Sequence, residues 1–358
     1  MTDTAHLSDD RLRAPTIPRS RLATLPTPLE EGPTVVDGGP RLWVKRDDLT
    51  GLGGGGNKAR KLEFLCGATE ADDATAIVTV GAAQSNHCRM TAAAGARLGA
   101  EVHLVLSGDA PASGVHRQGN QLLSGLFGAQ LHFTGAEESH WGELEIAREA
   151  LTEHLAADGL RPISIPIGGS TAVGAVGYAV AFAEMIDQCQ AAGFLPAAIV
   201  FTSSSGGTHA GLLAGRAAMI ACGELTADEA PELIAIGVAK GVIMGHPDVA
   251  ALADETLDLM GLGASSSNGA QVDLADVCVD GGWIGDDYAI PTEAGDAAVA
   301  WGARNGGWLF DRTYSGKGFS GALELIRSGR WSSDHDLVFI HTGGWPALFA
   351  DEGTPSRS

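Results

Sequence analysis

The sequence predicts an α/β protein with mostly parallel sheets and helices on both faces. Short apolar runs of strand length alternate with longer helical patterns, the signature of βαβ connectivity. Glycine- and serine-rich segments repeatedly follow the apolar runs, where open α/β sheets place their ligand loops. At 358 residues the chain is long for one core and suggests two domains.

Residues 1–16 are polar, carry Pro15 and are expected to form a flexible leader. Residues 42–45 read as a short strand ending in Arg46-Asp47-Asp48. Beyond four consecutive glycines, Gly53 to Gly56, a helix is expected over 57 to about 71, with Leu62, Phe64, Leu65 and Ala68 among its buried residues. Residues 76–80 form a buried strand with 81–87 as its outgoing loop, followed by a helix at 90–98 and a strand at 101–106. A strand at 129–133, a helix at 141–157 and a strand at 162–167 lead into Gly168-Gly-Ser170. A helix at 173–191 precedes a strand at 198–202, its Ser/Gly loop and a helix from His209. Later strands are expected at 233–238, 307–311 and 337–341, and 247–274 reads as two short helices around a loop.

Hydrophobic residues make up 44% and charged residues 19%, an ordinary globular balance. The net charge of −21 disfavours nucleic acid and anionic membranes, which need clustered Lys and Arg. The five cysteines, Cys66, Cys88, Cys189, Cys222 and Cys278, are odd in number and lack CxxC spacing. That argues against a disulfide framework and against a metal site. With no signal-peptide pattern at the start and no membrane-length apolar run, the expected compartment is the cytoplasm.

Lys58 sits just past the glycines. Glycines tolerate φ > 0 and let other groups approach the main chain. A lysine held at such a turn is partly desolvated, which lowers its pKa and suits it to Schiff-base chemistry. A lysine Schiff base is how proteins anchor pyridoxal phosphate. The same stretch satisfies Gly51-x-Gly53-x-x-Gly56, so a dinucleotide site, as in a nicotinamide oxidoreductase, competes. Against it, the charged segment Arg46 to Thr50 separates the strand from the glycines, and Lys58 crowds the helix start. A P-loop fits less well, because Asn57 interrupts the Gly-Lys pair and Ala59 replaces the magnesium-holding Ser/Thr.

Ser203-Ser-Ser-Gly-Gly-Thr208 follows a strand and precedes a helix. Its N–H groups and hydroxyls suit a phosphate monoester, although Ser/Gly turns are also common connectors. Ser85 could act on a substrate proton or carboxylate, and Asn86 could bond a cofactor's phenolic oxygen. Equally, both could cap the helix that follows. His87 reads as an orienting group rather than a catalyst. Tyr288 and Tyr314 lie in loops, where a tyrosine can stack on a ring, move a proton or simply pack.

Pro26-Thr-Pro-Leu29, Lys45-Arg-Asp-Asp48, Gly55-Gly-Asn-Lys-Ala-Arg-Lys-Leu-Glu-Phe64 and Gln84-Ser-Asn-His87 occur in that order. They are followed by Gly168-Gly-Ser170, Gly174-Ala-Val-Gly-Tyr178, Gly206-Gly-Thr-His-Ala-Gly-Leu212, Tyr314-Ser-Gly-Lys317 and His341-Thr-Gly-Gly344. Together they resemble the D-cysteine desulfhydrase and aminocyclopropane-carboxylate deaminase family, pyridoxal-phosphate enzymes of the tryptophan-synthase-β fold type. The resemblance runs from about Pro26 to Phe349. It implies two three-layer αβα domains, a small one at 61–178 inserted in a large one made from 1–60 and 179–358.

The same resemblance implies that Lys58 is the Schiff-base lysine and Asn86 the partner of the cofactor's ring oxygen. Ser205, Gly206, Gly207 and Thr208 would form the phosphate cup, and Thr342 would face the pyridine nitrogen. Ser85, Asn86, His87, Tyr288 and Tyr314 would face a small amino-acid substrate, in a homodimer. The activity implied is β-elimination, with D-cysteine giving pyruvate, sulfide and ammonia. Alternatives are deamination of the cyclopropane amino acid, sulfite loss from cysteate, or a binding protein that lost the chemistry. Deaminases resembling the cyclopropane enzyme carry Glu after the Tyr314 position, where this chain has Ser315. Ser204, Asp287, Ala289, Arg312 and Trp345 depart from the family's usual residues, mostly around the expected substrate pocket.

Overall fold

The computed structural model describes Leu12 and residues 17–67, 73–112, 116–136, 140–239, 248–266 and 269–350. Among these, one sheet has six strands in the spatial order β1 (Leu29–Glu31), β2 (Arg41–Lys45), β10 (Asp336–Ile340), β7 (Ala198–Ser203), β8 (Glu232–Gly237) and β9 (Cys278–Asp280). Only β1 runs antiparallel to its neighbour. The other sheet has four parallel strands, ordered β5 (Gln130–Phe133), β4 (Glu101–Leu106), β3 (Ala76–Gly81) and β6 (Pro162–Ile165).

Every residue of β3 and β7 is buried. Continuous apolar strands of this kind belong in parallel sheets covered on both faces. In β7, Ile199 and Phe201 pack toward α5 (Ala172–Ala191), α6 (Gly207–Ala221) and α7 (Asp248–Leu259). Ala198 and Val200 point the other way, toward α8 (Glu293–Gly306), α9 (Ser315–Arg327) and the Trp308, Phe310 and Phe319 rings. The four-stranded sheet carries α1 (Lys58–Leu65) and α2 (Asn86–Leu98) on one face, and α4 (Trp141–Ala157) on the other.

Several expectations are corrected. The helix expected at 90–98 starts four residues earlier, because the Ser85 hydroxyl accepts from the Cys88 N–H at 3.2 Å and caps α2. Asn86 and His87 therefore stand in its first turn and not in a loop. The segment 307–311 joins neither sheet. Gly307, at φ 66°, ends α8, and Trp308 and Phe310 then alternate into the core. Burial alone produced that strand-like alternation.

Where two short helices were expected over 247–274, the described residues hold one helix, α7, followed by turns, an isolated bridge from Gly263 to Ala270 and a 3-10 turn at Leu274–Asp276. Helix α1 ends at Leu65 with Cys66 as its C-cap, and the continuation expected to about Ala71 lies, past Gly67, outside the described residues. The expected leader also lies outside them, except for Leu12, which is buried. Strands β1 and β9 and helices α3 (Gly119–Leu126), α8 and α9 were not anticipated. The two strands are three-residue edges, too short to show a period. Among the described residues, no helix is long and apolar enough to cross a membrane, and no His/Cys/Asp/Glu group is placed to hold a metal.

Candidate active site

The carboxyl ends of β3, β7 and β10 open onto one cleft of about 750 Å³, counting the space open to solvent. All the site residues expected from sequence line it except Gly207. Ser203, Ser204, Asn57 and Trp141 join them, and among the described residues no carboxylate does.

The glycine run leads into the cleft through Asn57 and Lys58, which line it, and all four of its carbonyls are bound inside the protein. Gly53 O and Gly55 O accept from Arg89 at 2.6 and 3.1 Å, and Gly54 O from the Trp345 indole at 2.7 Å. Gly56 O accepts from the Thr50 hydroxyl at 2.8 Å. Gly55 has φ 83°, and a Cβ there would lie 1.8 Å from Asp48 O, so only glycine fits. The N–H groups of Gly54, Gly55 and Gly56 are spent as well, on Gly51 O, Leu52 O and Thr50 Oγ1, so the run is a packed delivery arm for Lys58 and not a dinucleotide loop. The Asn57 N–H donates to Thr342 O at 3.0 Å, which joins the arm to the end of β10.

The Lys58 amine is partly buried, and its nearest polar partner is Gly168 O at 3.4 Å. Burial pushes its pKa down to about 8. Sequence reasoning missed Lys61, one turn along α1. Its amine is buried, donates to Gly168 O at 3.3 Å and lies where a Cβ on Gly207 would point, 2.6 Å away. Burial, and then the charge of Lys58, drives it well below the usual lysine range. Two amines thus crowd the start of α6.

At that start, Gly206 (φ 83°) offers no side-chain cap, which leaves first-turn N–H groups available. The hydroxyls around it are wired in one direction. The Gly207 N–H donates to Ser170 Oγ at 3.2 Å, and Ser170 Oγ donates to Ser205 Oγ at 2.8 Å. The Ser205 proton is left for the cleft. In the same way Asn57 Nδ2 donates to Thr208 Oγ1 at 3.2 Å, which frees the Thr208 proton. Ser203 Oγ is buried without a partner. Hydroxyl and N–H donors beside two lysines make a cup for a phosphate monoester. Gly207 supports that cup from behind, since its N–H is spent on Ser170.

On the opposite side, Thr79 Oγ1 donates to Ile165 O at 2.8 Å, so it must accept from His87 Nε2 at 2.8 Å. That fixes the tautomer. Burial, followed by the charges of Lys58 and Lys61, lowers the His87 pKa well below its usual value and keeps the ring neutral. Tyr288 and Tyr314 touch hydroxyl to hydroxyl. Trp141, the first residue of α4, stands edge-on to Tyr288 with centroids 4.9 Å apart. Its place here comes from packing between elements, and nothing local in the sequence marks it.

Of the unusual positions, Ser204 lines the cleft itself, and Asp287 and Ala289 flank Tyr288, which lines it. Arg312 makes a bidentate pair with Asp296, Trp345 braces Gly54, and Asp287 accepts from the Tyr288 N–H. Ser315 is buried, with its hydroxyl donating to Asp311 Oδ1 at 2.6 Å, and does not face the cleft. Ala289 has φ 60°, a left-handed conformation that costs a Cβ-bearing residue about 1–2 kcal/mol. Ala289→Gly is expected to stabilise the protein by about 1 kcal/mol, seen as a higher thermal midpoint. An unchanged or lower midpoint would mean that the packing of the methyl group outweighs the strain.

The family model described as "Pyridoxal-phosphate dependent enzyme" matches residues 21–343. D-cysteine desulfhydrases of Salmonella typhi and Salmonella newport are each 37% identical over 338 residues, covering 93% of this chain and 96% of the relative. A crystal structure of an ACC deaminase homologue superposes with a TM-score of 0.81 at 30% identity, covering 98% of this chain and 97% of its own. Maize serine racemase has a TM-score of 0.58 at 18% identity, over 96% of this chain and 92% of its own, a likeness of fold alone.

Proposed function

The chain belongs to the pyridoxal-phosphate dependent enzyme family, and on that premise we propose that it is a lyase removing a β-substituent from a small amino acid. D-cysteine is the favoured substrate: with water it gives pyruvate, hydrogen sulfide and ammonia. The observation that carries this reading is a single cleft in which a lysine amine of lowered pKa faces a cup of hydroxyl and N–H donors. The identity with D-cysteine desulfhydrases supports the choice of substrate.

Pyridoxal phosphate, when bound, supplies an electron sink for charge developing at the substrate's Cα. Lys58 would hold it through Nζ. Ser205, Gly206 and Thr208 would bind its phosphate, with Gly207 and the Lys61 amine behind them. Asn86 would face its ring oxygen and Thr342 its pyridine nitrogen. A neutral hydroxyl at Thr342 does not protonate that nitrogen. Loss of a leaving group concerted with charge development is thereby favoured over racemisation.

With its Nζ free, Lys58 would be an amine of lowered pKa placed to take the Cα proton. Ser85 and the α2 start would hold the substrate carboxylate, and the Tyr288–Tyr314 pair would hand a proton to the departing sulfur. Ring opening of the cyclopropane amino acid is a second reading, favoured by the likeness to the ACC deaminase homologue. Ser315, turned toward Asp311, supplies no acid to the cleft for it.

We further propose that the two sheets mark two domains, 61–178 and the remainder, and that the protein is a cytoplasmic homodimer. The deciding experiment offers D- and L-cysteine, D-cysteate and the cyclopropane amino acid to the purified protein. Sulfide and pyruvate in equal amounts from D-cysteine are expected. Release of 2-oxobutyrate from the cyclopropane substrate alone would overturn the assignment.

A further inference from the structure

Asn86 and the lysine arm meet at one buried pair, Arg89 and Asn120, and we infer that this pair fixes Asn86 as a hydrogen-bond donor into the cleft. The inference rests on the pyridoxal-phosphate reading of the site. Its logic starts at Gln84 O, a backbone carbonyl that can only accept. Asn120 Nδ2 faces it at 2.8 Å, and the Asn120 N–H donates to Gln84 Oε1 at 2.8 Å. The orientation of the Asn120 amide is thereby set, even though its own Oδ1 is left buried without a partner. Its second Nδ2 hydrogen goes to Asn86 Oδ1 at 2.9 Å.

The Arg89 guanidinium, which has no acceptor, lies 3.5 Å from the same oxygen. With two donors on Oδ1, the Asn86 amide nitrogen turns away from both and toward the cleft that Asn86 lines. A flipped amide would oppose N–H to N–H twice. The same guanidinium holds Gly53 O and Gly55 O, and it is fully buried. One side chain therefore ties the donor helix α2 to the arm that delivers Lys58. Arg89 and Asn120 are positioning residues, acting on the cofactor's ring oxygen through Asn86.

The test uses holoenzyme and reads two properties other than turnover. One is the pH at which the visible absorption band of the bound cofactor titrates, and the other is the cofactor's dissociation constant. Asn86→Ala and Asn120→Asp should move the titration in the same direction, and each should weaken binding about tenfold. The double variant should be no worse than either single one, because both remove the same bond. Arg89→Lys keeps the charge but cannot span two carbonyls, so it should give a smaller shift of the same sign. Asn120→Ala removes the donor without adding charge and carries the comparison if the aspartate variant does not fold. If Asn86→Ala shifts the band and the Asn120 and Arg89 variants do not, the positioning role is wrong while the site assignment stands. If the cofactor binds and Asn86→Ala leaves the band unmoved, the assignment of Asn86 falls and this inference falls with it.

Discussion

Replacing Lys58 with alanine is expected to lower kcat roughly a thousandfold and to abolish the lysine adduct that borohydride traps on the parent protein. Among the described residues no second amine is placed to substitute. Lys61 is three residues along the same helix, but its Nζ is buried behind Gly207 and bonded to Gly168 O. The lowered pKa adds a pH signature. With a pKa of about 8, the Lys58 amine is charged below that pH and neutral, hence nucleophilic, above it. Capture of added pyridoxal phosphate by the cofactor-free protein should therefore accelerate as pH rises through about 8 and level off beyond it. Linkage has the same sign. The folded state holds Lys58 below its ordinary value of 10.5, so between about 8 and 10.5 the unfolded chain binds more protons and stability rises with pH. Full turnover by the Lys58→Ala protein would remove Lys58 from the mechanism.

How much of this was legible in the sequence depends on whether the signal is local. Lys58 was readable from the glycine run before it, and so were the strand ends that lead into Ser85 to His87, Ser203 to Thr208 and Thr342. There an apolar run stops at small and polar residues, and parallel sheets put such stops on one edge. The start of α2 was misplaced because Ser85 suits a cap and a catalytic loop equally well, and the chain beyond it has no early apolar period. Residues 307–311 misled for the opposite reason, since Trp308 and Phe310 alternate without hydrogen bonding to a strand. Lys61, Asn120 and Trp141 were not legible as site residues. The bond from Asn120 to Asn86 spans 34 residues, and Trp141 meets Tyr288 only because two separate elements pack together. Their contribution is fixed by the approach of elements, and no single stretch of sequence contains it.

Loss of one member of the buried charge cluster beneath the lysine arm should cost about 3–5 kcal/mol, more than any other single change considered above. Lys45, Asp47, Arg60 and Glu184 are all buried, and they balance two cations against two carboxylates. Arg60 donates to Asp47 at 2.8 and 2.9 Å and to Glu184 at 2.8 and 3.0 Å, while the Tyr178 hydroxyl and Thr27 complete the shell of Asp47. Arg60→Met should be the severest variant, because it removes the cation paired with Asp47 and leaves Glu184 with Lys45 alone. Glu184→Gln should be milder, because burial already lowers the Lys45 pKa and that amine can shed its proton. Against the cost of its own burial, Arg60 and Lys45 hold the Glu184 carboxyl down to about 2 from its ordinary 4.5. Its contribution is therefore complete above about pH 4.5 and is lost as pH falls toward 2, a dependence that Glu184→Gln should lack. Denaturant titrations at neutral and acid pH measure both effects. Asp47 and Arg60 also bracket the glycine run, so the same bond closes the base of the loop that presents Lys58. Arg60→Met should accordingly lose cofactor under conditions where it is still folded. A variant equal to the parent in stability and in cofactor retention would show that the cluster neither supports the core nor anchors the arm.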